Sequence, residues 1–243
     1  MQDHIDTNAE GLSLPNTNSF NTKALSYASN SSLQLELAQI LCEKMRYSLK
    51  DKTVLDLGAG SGNIYKTLKD KSFKDFIALD SAPNLLALHP KANNIKLINT
   101  SFDDFDYSRL DESVLIVSNA ALQWSANLDS LLSRLSQTSC ALAFSLFTKN
   151  SLKELHSHLQ TTSPLRSQSE VISLIKKHFK NYKLLKSYSK TLYFQSQKEL
   201  LSHLQGLGLL GGGLDSTLSY KQAKRLLNLP FLELSYEGLI FIR

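Results

Sequence analysis

Two cysteines, one tryptophan and five prolines among 243 residues leave little for several kinds of architecture. Cys42 and Cys140 lie far apart in spacing that suits neither a disulfide framework nor a metal site. Both read as core residues, since free Cys packs as a small hydrophobe, in a protein of the reducing cytoplasm. No apolar run approaches the ~20 residues of a membrane helix. Residues 1–19 show no basic stretch followed by an apolar one, so they do not read as a secretory signal. They are polar, rich in Asn and Thr and without period, and are expected to form a mobile N-terminal segment. With no internal repeat and no Pro-rich linker, residues 20–243 are expected to form a single domain. Helical additions are placed at approximately 20–48, 149–180 and 197–229.

Hydrophobic residues at 42% and charged residues at 20% are ordinary for a soluble globular protein. The charge is uneven. Residues 1–121 hold 12 Lys and Arg against 15 Asp and Glu, whereas residues 122–243 hold 15 against 7. Two basic faces are expected in the second half, one with Lys176, Lys177 and Lys180 and one with Lys221, Lys224 and Arg225. Such faces either steer an acidic partner or are simply solvated surface. A pI near 9.0 also suits nucleic acid, but no aromatic-studded RNA-binding module is present in the sequence.

Apolar residues at helical spacing from Asn21 to Ser48 (Leu33, Leu37, Ile40, Leu41, Met45) predict one amphipathic helix. Short apolar runs then alternate with helical patterns. Strands are expected at Thr53–Leu57, Phe76–Leu79, Ile95–Ile98, Ser113–Val117 and Cys140–Phe147. Continuous apolar strands with helical crossovers imply a parallel sheet covered on both faces. The rhythm changes after Thr148. Helices are expected at Leu152–Leu159, Ser169–Phe179, Lys198–Leu204 and Tyr220–Leu227, and strands at Leu184–Phe194 and Leu234–Ile242. Glycines 206, 208 and 211–213 fall between the last two helices.

The strongest motif is Val54-Leu55-Asp56-Leu57-Gly58-Ala59-Gly60-Ser61-Gly62, where a strand runs into a glycine turn and then a helix. That arrangement lets a ligand approach bare backbone. A nicotinamide turn would read G-x-G-x-x-G and cradle a pyrophosphate. This turn is G-x-G-x-G with an acid two residues before it. An acid there suits a cationic ligand such as S-adenosylmethionine (SAM), which carries a sulfonium and an amino-acid tail. Asp80 ends the next strand, where doubly wound folds place a ribose-binding carboxylate; a helix cap is the alternative. Ser81 follows it.

Asn119 closes the fourth strand and opens Asn119-Ala120-Ala121-Leu122-Gln123-Trp124, at a strand end where such folds place chemistry. Trp124 reads either as core or as an apolar wall beside a transferred group.

Together these residues resemble the class I SAM-dependent methyltransferases, and one branch in detail: the malonyl-acyl-carrier-protein O-methyltransferases of biotin synthesis. Phe20-Asn21-Thr22-Lys23-Ala24-Leu25-Ser26-Tyr27 resembles that branch's F-x(3)-A-x(2)-Y entry helix, and Ser118–Trp124 its motif after the fourth strand. Ser151-Leu152-Lys153-Glu154-Leu155-His156 resembles an S-L-x-E-L-H helix, and Leu204-Gln205-Gly206-Leu207-Gly208 an L-K-x-I/L-G insertion. The resemblance implies a doubly wound Rossmann-like sheet, mostly parallel, with an antiparallel C-terminal strand and helical lid insertions. It implies SAM as co-substrate, no metal, and SAM contacts at Asp56, Gly58, Ala59, Gly60, Gly62, Asp80, Ser81, Ser101, Phe102 and Asn119. Class I members put an acid near Ser101 for adenine. Its absence leaves two readings open: Phe102 packs on the base and Asp103 replaces the acid, or both residues are simple loop structure.

The implied reaction methylates the free carboxylate of a malonyl thioester on acyl carrier protein or coenzyme A. The implied partner is an acidic acyl carrier protein on a basic face, with neither nucleic acid nor membrane involved. Such a carboxylate is ionised at neutral pH, so no general base is required. Candidate groups at the methyl end are Tyr27, Gln123, Arg166 and Trp124, with Lys149 a further donor. His156 either lines the acceptor pocket or sits on a helix surface. His158, two residues on, points elsewhere, and His89 reads as structural. The alternatives are another acceptor, such as a different small carboxylate (trans-aconitate, for example), a quinone-like compound or a nucleic acid, or a non-catalytic SAM-binding module.

Overall fold

The computed structural model describes residue 21, residues 24–207 and residues 220–243. The expected mobile segment at 1–19 and the glycines 208 and 211–213 lie outside the described residues.

Strands of five to ten residues form a seven-stranded sheet in the order β3-β2-β1-β4-β5-β7-β6. The strands are β1 (Thr53–Leu57), β2 (Asp75–Asp80), β3 (Ile95–Asn99), β4 (Val114–Asn119), β5 (Ala141–Phe147), β6 (Leu184–Tyr193) and β7 (Glu233–Ile242). Pairs β3·β2, β2·β1, β1·β4 and β4·β5 are parallel, and β7 runs antiparallel between β5 and β6. The chain order therefore reverses between β1 and β4, and ligands of doubly wound sheets sit beyond the strand ends at such a reversal. The antiparallel last strand agrees with the fold class expected from the sequence.

Helices cover both faces. On one, α2 (Ser32–Lys44) and α3 (Asn63–Leu68) bury Leu33, Leu37, Leu41, Ile64 and Leu68. On the other, α5 (Leu128–Ser136) and α7 (Gln168–His178) bury Leu128, Leu131, Leu132, Leu135, Val171 and Ile175. Each such side chain contributes roughly 1.5–3 kcal/mol on leaving water. The termini of these two helices are chemically fixed. Asn127 Oδ1 accepts the Ser130 N–H, and Ser167 and Glu170 form a reciprocal capping box. The remaining helices are α1 (Ala24–Ser29), α4 (Pro83–Leu86), α6 (Lys153–Leu159), α8 (Gln197–Gly206) and α9 (Tyr220–Leu226).

Three expectations need correction. The single helix expected from Asn21 to Ser48 is broken into α1 and α2. Asn30 Nδ2 donates to Ser26 O (2.8 Å) and Ser31 Oγ to Ala28 O (3.0 Å), so these side chains end α1 by bonding its carbonyls. β3 is not a continuous apolar run: it is the sheet's edge, and Lys96 and Asn99 are exposed. Cys140 is buried, but Cys42 is only half-buried at the side of α2, rather than a core residue. Burial followed by the Asp56 charge raises its thiol to about 12.

Candidate functional site

The bend between β1 and α3 is set by backbone that only glycine adopts easily. Gly58, Gly60 and Gly62 have φ of +72°, +52° and +86°. At Gly58 a side chain is also excluded by space, because a Cβ there would overlap the Cβ of Ala121. At Gly62 it would come within 2.8 Å of His89 and Pro90. His89 is a buried ring against Tyr65 and Phe76, which gives it the structural role expected. The bend is thus pressed between neighbouring loops, and its outer side faces a cleft of about 430 Å³. That volume lies within the range of small-molecule sites.

Most of the expected cofactor residues line this one cleft: Asp56, Gly58, Ala59, Gly60, Asp80, Ser81, Ser101, Phe102 and Asn119, with Asp103 and Trp124. Gly62 stands behind it, against His89. Asp56 is 1% exposed and neither carboxylate oxygen has a hydrogen-bond partner. Burial, and then the charge of Asp80, push its pKa well above the ordinary range. Asp80, 9% exposed, accepts the N–H of Gly60 at Oδ2 and of Ala82 at Oδ1, both at 2.8 Å. Burial raises its pKa and the bonds from Ala82, Gly60 and Ser81 oppose that rise. The residue that caps α4 is Ala82, so Asp80 is not a helix cap. It instead ties the bend to β2, and lone pairs on both oxygens remain for a ligand.

Beyond β3, Phe102 reaches the bend, its ring 3.6 Å from where a Gly58 Cβ would stand. Ser101 Oγ accepts the Asp103 N–H, and the Asp103 carboxylate accepts from Ser125 Oγ (2.6 Å) and Ala126 N (2.9 Å). Asp103 therefore joins two walls of the cleft. Asn119 is held at both ends: Nδ2 donates to Gln34 O and Oδ1 accepts from Ser145 Oγ, each at 2.8 Å. Gln34, from the first turn of α2, also lines the cleft. The sequence reading missed it. Its signal was a polar residue in the buried stripe of Leu37, Ala38 and Leu41.

The acceptor candidates are not gathered in the same way. Trp124 lines the cleft. Gln123 does not; it is buried behind the wall, with Nε2 donating to Ala120 O and Oε1 unpartnered. Arg166 and Lys149 are joined through backbone (Lys149 N to Arg166 O, 2.8 Å) and are not part of the cleft lining; the charges of both help to lower the Glu170 carboxyl. The side chain of Tyr27 lies outside the described residues. His156 Nδ1 pairs with Thr161 Oγ1 (3.1 Å) and His158 Nε2 with Arg225 O (2.9 Å), so neither lines the cleft. Of the first basic face, Lys177 is bound to Asp129, while Lys176 and Lys180 are exposed. No group of three or more His, Cys, Asp or Glu placed to hold a metal occurs among the described residues.

Solved structures share the fold. The chain superposes on the YcgJ protein of Bacillus subtilis with a TM-score of 0.61 at 10% identity, covering 87% of this chain and 98% of that one. It superposes on a putative methyltransferase of Bacillus halodurans at 0.57 and 13% identity, covering 86% and 96%. Phosphoethanolamine N-methyltransferase 2 of Haemonchus contortus, solved with S-adenosyl-L-methionine, gives 0.59 at 12% identity, covering 94% of this chain and 60% of that one. The fold is that of the class I methyltransferases. No family model matches the chain. In sequence it is similar to the malonyl-[acyl-carrier protein] O-methyltransferase of Bacillus cereus, 29% identical over 224 residues, 85% of this chain and 83% of that protein. The protein of the same name from Calditerrivibrio nitroreducens is 26% identical over 207 residues, 81% and 80%. Fold and relatives agree on a methyltransferase.

The cleft fits the cofactor such enzymes use. A buried carboxylate with two unpartnered oxygens needs a cationic or donor-rich ligand, because leaving it unmet costs several kcal/mol. SAM brings an ammonium and a sulfonium. The ribose hydroxyls match the free lone pairs of Asp80, and Phe102, Leu85 and Ala121 supply apolar wall.

Proposed function

We propose that this protein transfers the methyl group of SAM to the free carboxylate of a malonyl thioester, on acyl carrier protein or coenzyme A, early in pimelate and biotin synthesis. The observation that carries the cofactor assignment is Asp56, buried at the cleft with no partner for either oxygen. The acceptor assignment is supported by the shared name of relatives matched over four-fifths of the chain.

When bound, SAM supplies a methyl group on a sulfonium; a C–O bond forms as the C–S bond breaks, and no proton moves. Asp56 would meet its cationic end, Asp80 would hold its ribose and Phe102 would pack on its base. The main work of the chain is alignment and exclusion of water from an already ionised carboxylate. Trp124 stands at the cleft as an apolar wall for that purpose. Tyr27, Gln123, Arg166 and Lys149 are the proposed donors to the acceptor carboxylate. For the last three this requires the segments at 120–124 and 149–166 to shift toward the cleft when the thioester binds. A partial set of donors is preferable, since a tight ion pair would blunt the nucleophile.

Exposed Lys176 and Lys180, or Lys221 and Lys224, are the proposed docking faces for an acidic carrier. No helix of the described residues is long and apolar enough to cross a membrane. The proposal includes a reducing cytoplasmic setting, consistent with two free cysteines.

The deciding experiment is a labelled-methyl assay with malonyl and succinyl thioesters, each on carrier protein and on coenzyme A. Faster transfer to malonyl than to succinyl is expected. Protein that binds SAM but leaves both malonyl thioesters unmethylated overturns the acceptor assignment.

A further inference from the structure

Asn119 closes the strand end where the sequence suggested a ligand contact, yet its carboxamide is occupied within the protein. Nδ2 holds the backbone carbonyl of Gln34, and Oδ1 is held by Ser145. What this strut delivers to the cleft is the side chain of Gln34. That side chain is buried (7% exposed), lines the cleft, and its Oε1 has no hydrogen-bond partner. Asp56 lines the same cleft with two more unpartnered oxygens.

Two residues that line one cleft thus hold three buried acceptor oxygens without a partner. An unmet buried acceptor costs roughly 1–3 kcal/mol, and a second acceptor cannot relieve the first. The ligand must therefore bring several donors to this end of the cleft. A primary ammonium carries three N–H donors and a positive charge, which suits one amide and one carboxylate together. A ribose or a purine edge supplies fewer donors and no charge.

We propose that Gln34 is a specificity residue that accepts a hydrogen bond from the α-ammonium of the ligand's amino-acid end, opposite Asp56. This rests on the SAM assignment made above. Asn119 and Ser145 act as positioning residues for Gln34, which explains a polar pair placed at the end of β4 and opposite it on β5.

The test is calorimetric binding of two nucleosides to the full chain. S-adenosylhomocysteine has the amino-acid end, and 5′-methylthioadenosine keeps the nucleoside but lacks it. Gln34→Leu is expected to weaken S-adenosylhomocysteine about tenfold, ~1.4 kcal/mol, and to change 5′-methylthioadenosine less than twofold. Gln34→Glu keeps an acceptor oxygen and is expected to bind S-adenosylhomocysteine more tightly than Gln34→Leu does. Equal weakening of both nucleosides by Gln34→Leu, or of neither, overturns the Gln34 assignment and leaves the cofactor reading intact. Wild-type protein that binds neither nucleoside overturns the cofactor reading and the Gln34 assignment with it.

Discussion

Polar side chains gather in two regions of this molecule, with half-buried acids in one and buried acids in the other, and the two are treated in opposite ways. Where residues 148–154 meet β7, every acid is met from within the protein. Glu237 accepts from Thr148 Oγ1 (2.6 Å) and Asn150 Nδ2 (3.1 Å), and its backbone exchanges hydrogen bonds with Ser151 Oγ. Glu154 accepts from Ser235 N (3.0 Å) and Ser235 Oγ (2.6 Å). Burial pushes the Glu154 carboxyl up, but the bonds from Ser235 outweigh it and hold the group below its ordinary value. At the cleft, Asp56 has no partner and is driven the other way. An acid that the protein satisfies is a fastening. One that the protein buries and leaves unmet is made for something else. By that criterion the Ser151–His156 motif is a clasp between α6 and β7, and Asp56 is the acid left open to a ligand.

The largest expected effect breaks the unmet side. Asp56→Asn removes the charge that faces the ligand's cationic end, and S-adenosylhomocysteine affinity is expected to fall about 100-fold, ~2.7 kcal/mol. The same variant without ligand is expected to melt higher than wild type, since it no longer carries a buried, unpaired carboxylate. A variant that binds normally, or that melts lower, would remove the contrast. Asp80→Ala comes next, with at least a tenfold loss of affinity by calorimetry, ~1.4 kcal/mol. An unchanged dissociation constant would separate Asp80 from the ribose. On the satisfied side, Glu154→Ala is expected to lower unfolding free energy by about 1–2 kcal/mol in denaturant titrations, with S-adenosylhomocysteine affinity within twofold of wild type. A large loss of affinity there would make the clasp part of the site.

The sheet and the bend were legible because their signals are local. The run Val54–Gly62 contains its own strand, its own turn chemistry and its own acid, and the structure places all three as read. Asp80 was legible for the same reason, at the end of an apolar run. The break at Asn30–Ser31 was not, because apolar spacing continues across it and the interruption comes from two polar side chains bonding back to α1. Gln34 was not either, since its meaning depends on Asn119, 85 residues away, which grips its carbonyl. Arg166 and Lys149 were placed by the reach of their segments, which spacing along the chain does not fix; neither lines the cleft, and the charges of both lower the Glu170 carboxyl.

The finest distinction between the two regions is their response to pH, and the signs are opposed. In the folded, ligand-free protein Asp56 is raised by burial and by Asp80, above its unfolded value of ~3.9. Its contribution to stability is full below that unfolded value and is lost as pH rises through the folded one. The ammonium of a ligand favours the ionised form, so S-adenosylhomocysteine affinity is expected to rise over the same interval, with proton release on binding. Glu154 is lowered, so its contribution is present above an unfolded value of ~4.3 and is lost as pH falls through the folded one. Glu154 is only half-buried, which keeps that effect small. Melting curves from pH 4 to 9 for wild type, Asp56→Asn and Glu154→Gln read both terms. The alkaline decline is expected to vanish in Asp56→Asn and persist in Glu154→Gln. If Asp56→Asn keeps the decline, the buried carboxylate is not its source, and the cleft loses the property that sets it apart from the clasp.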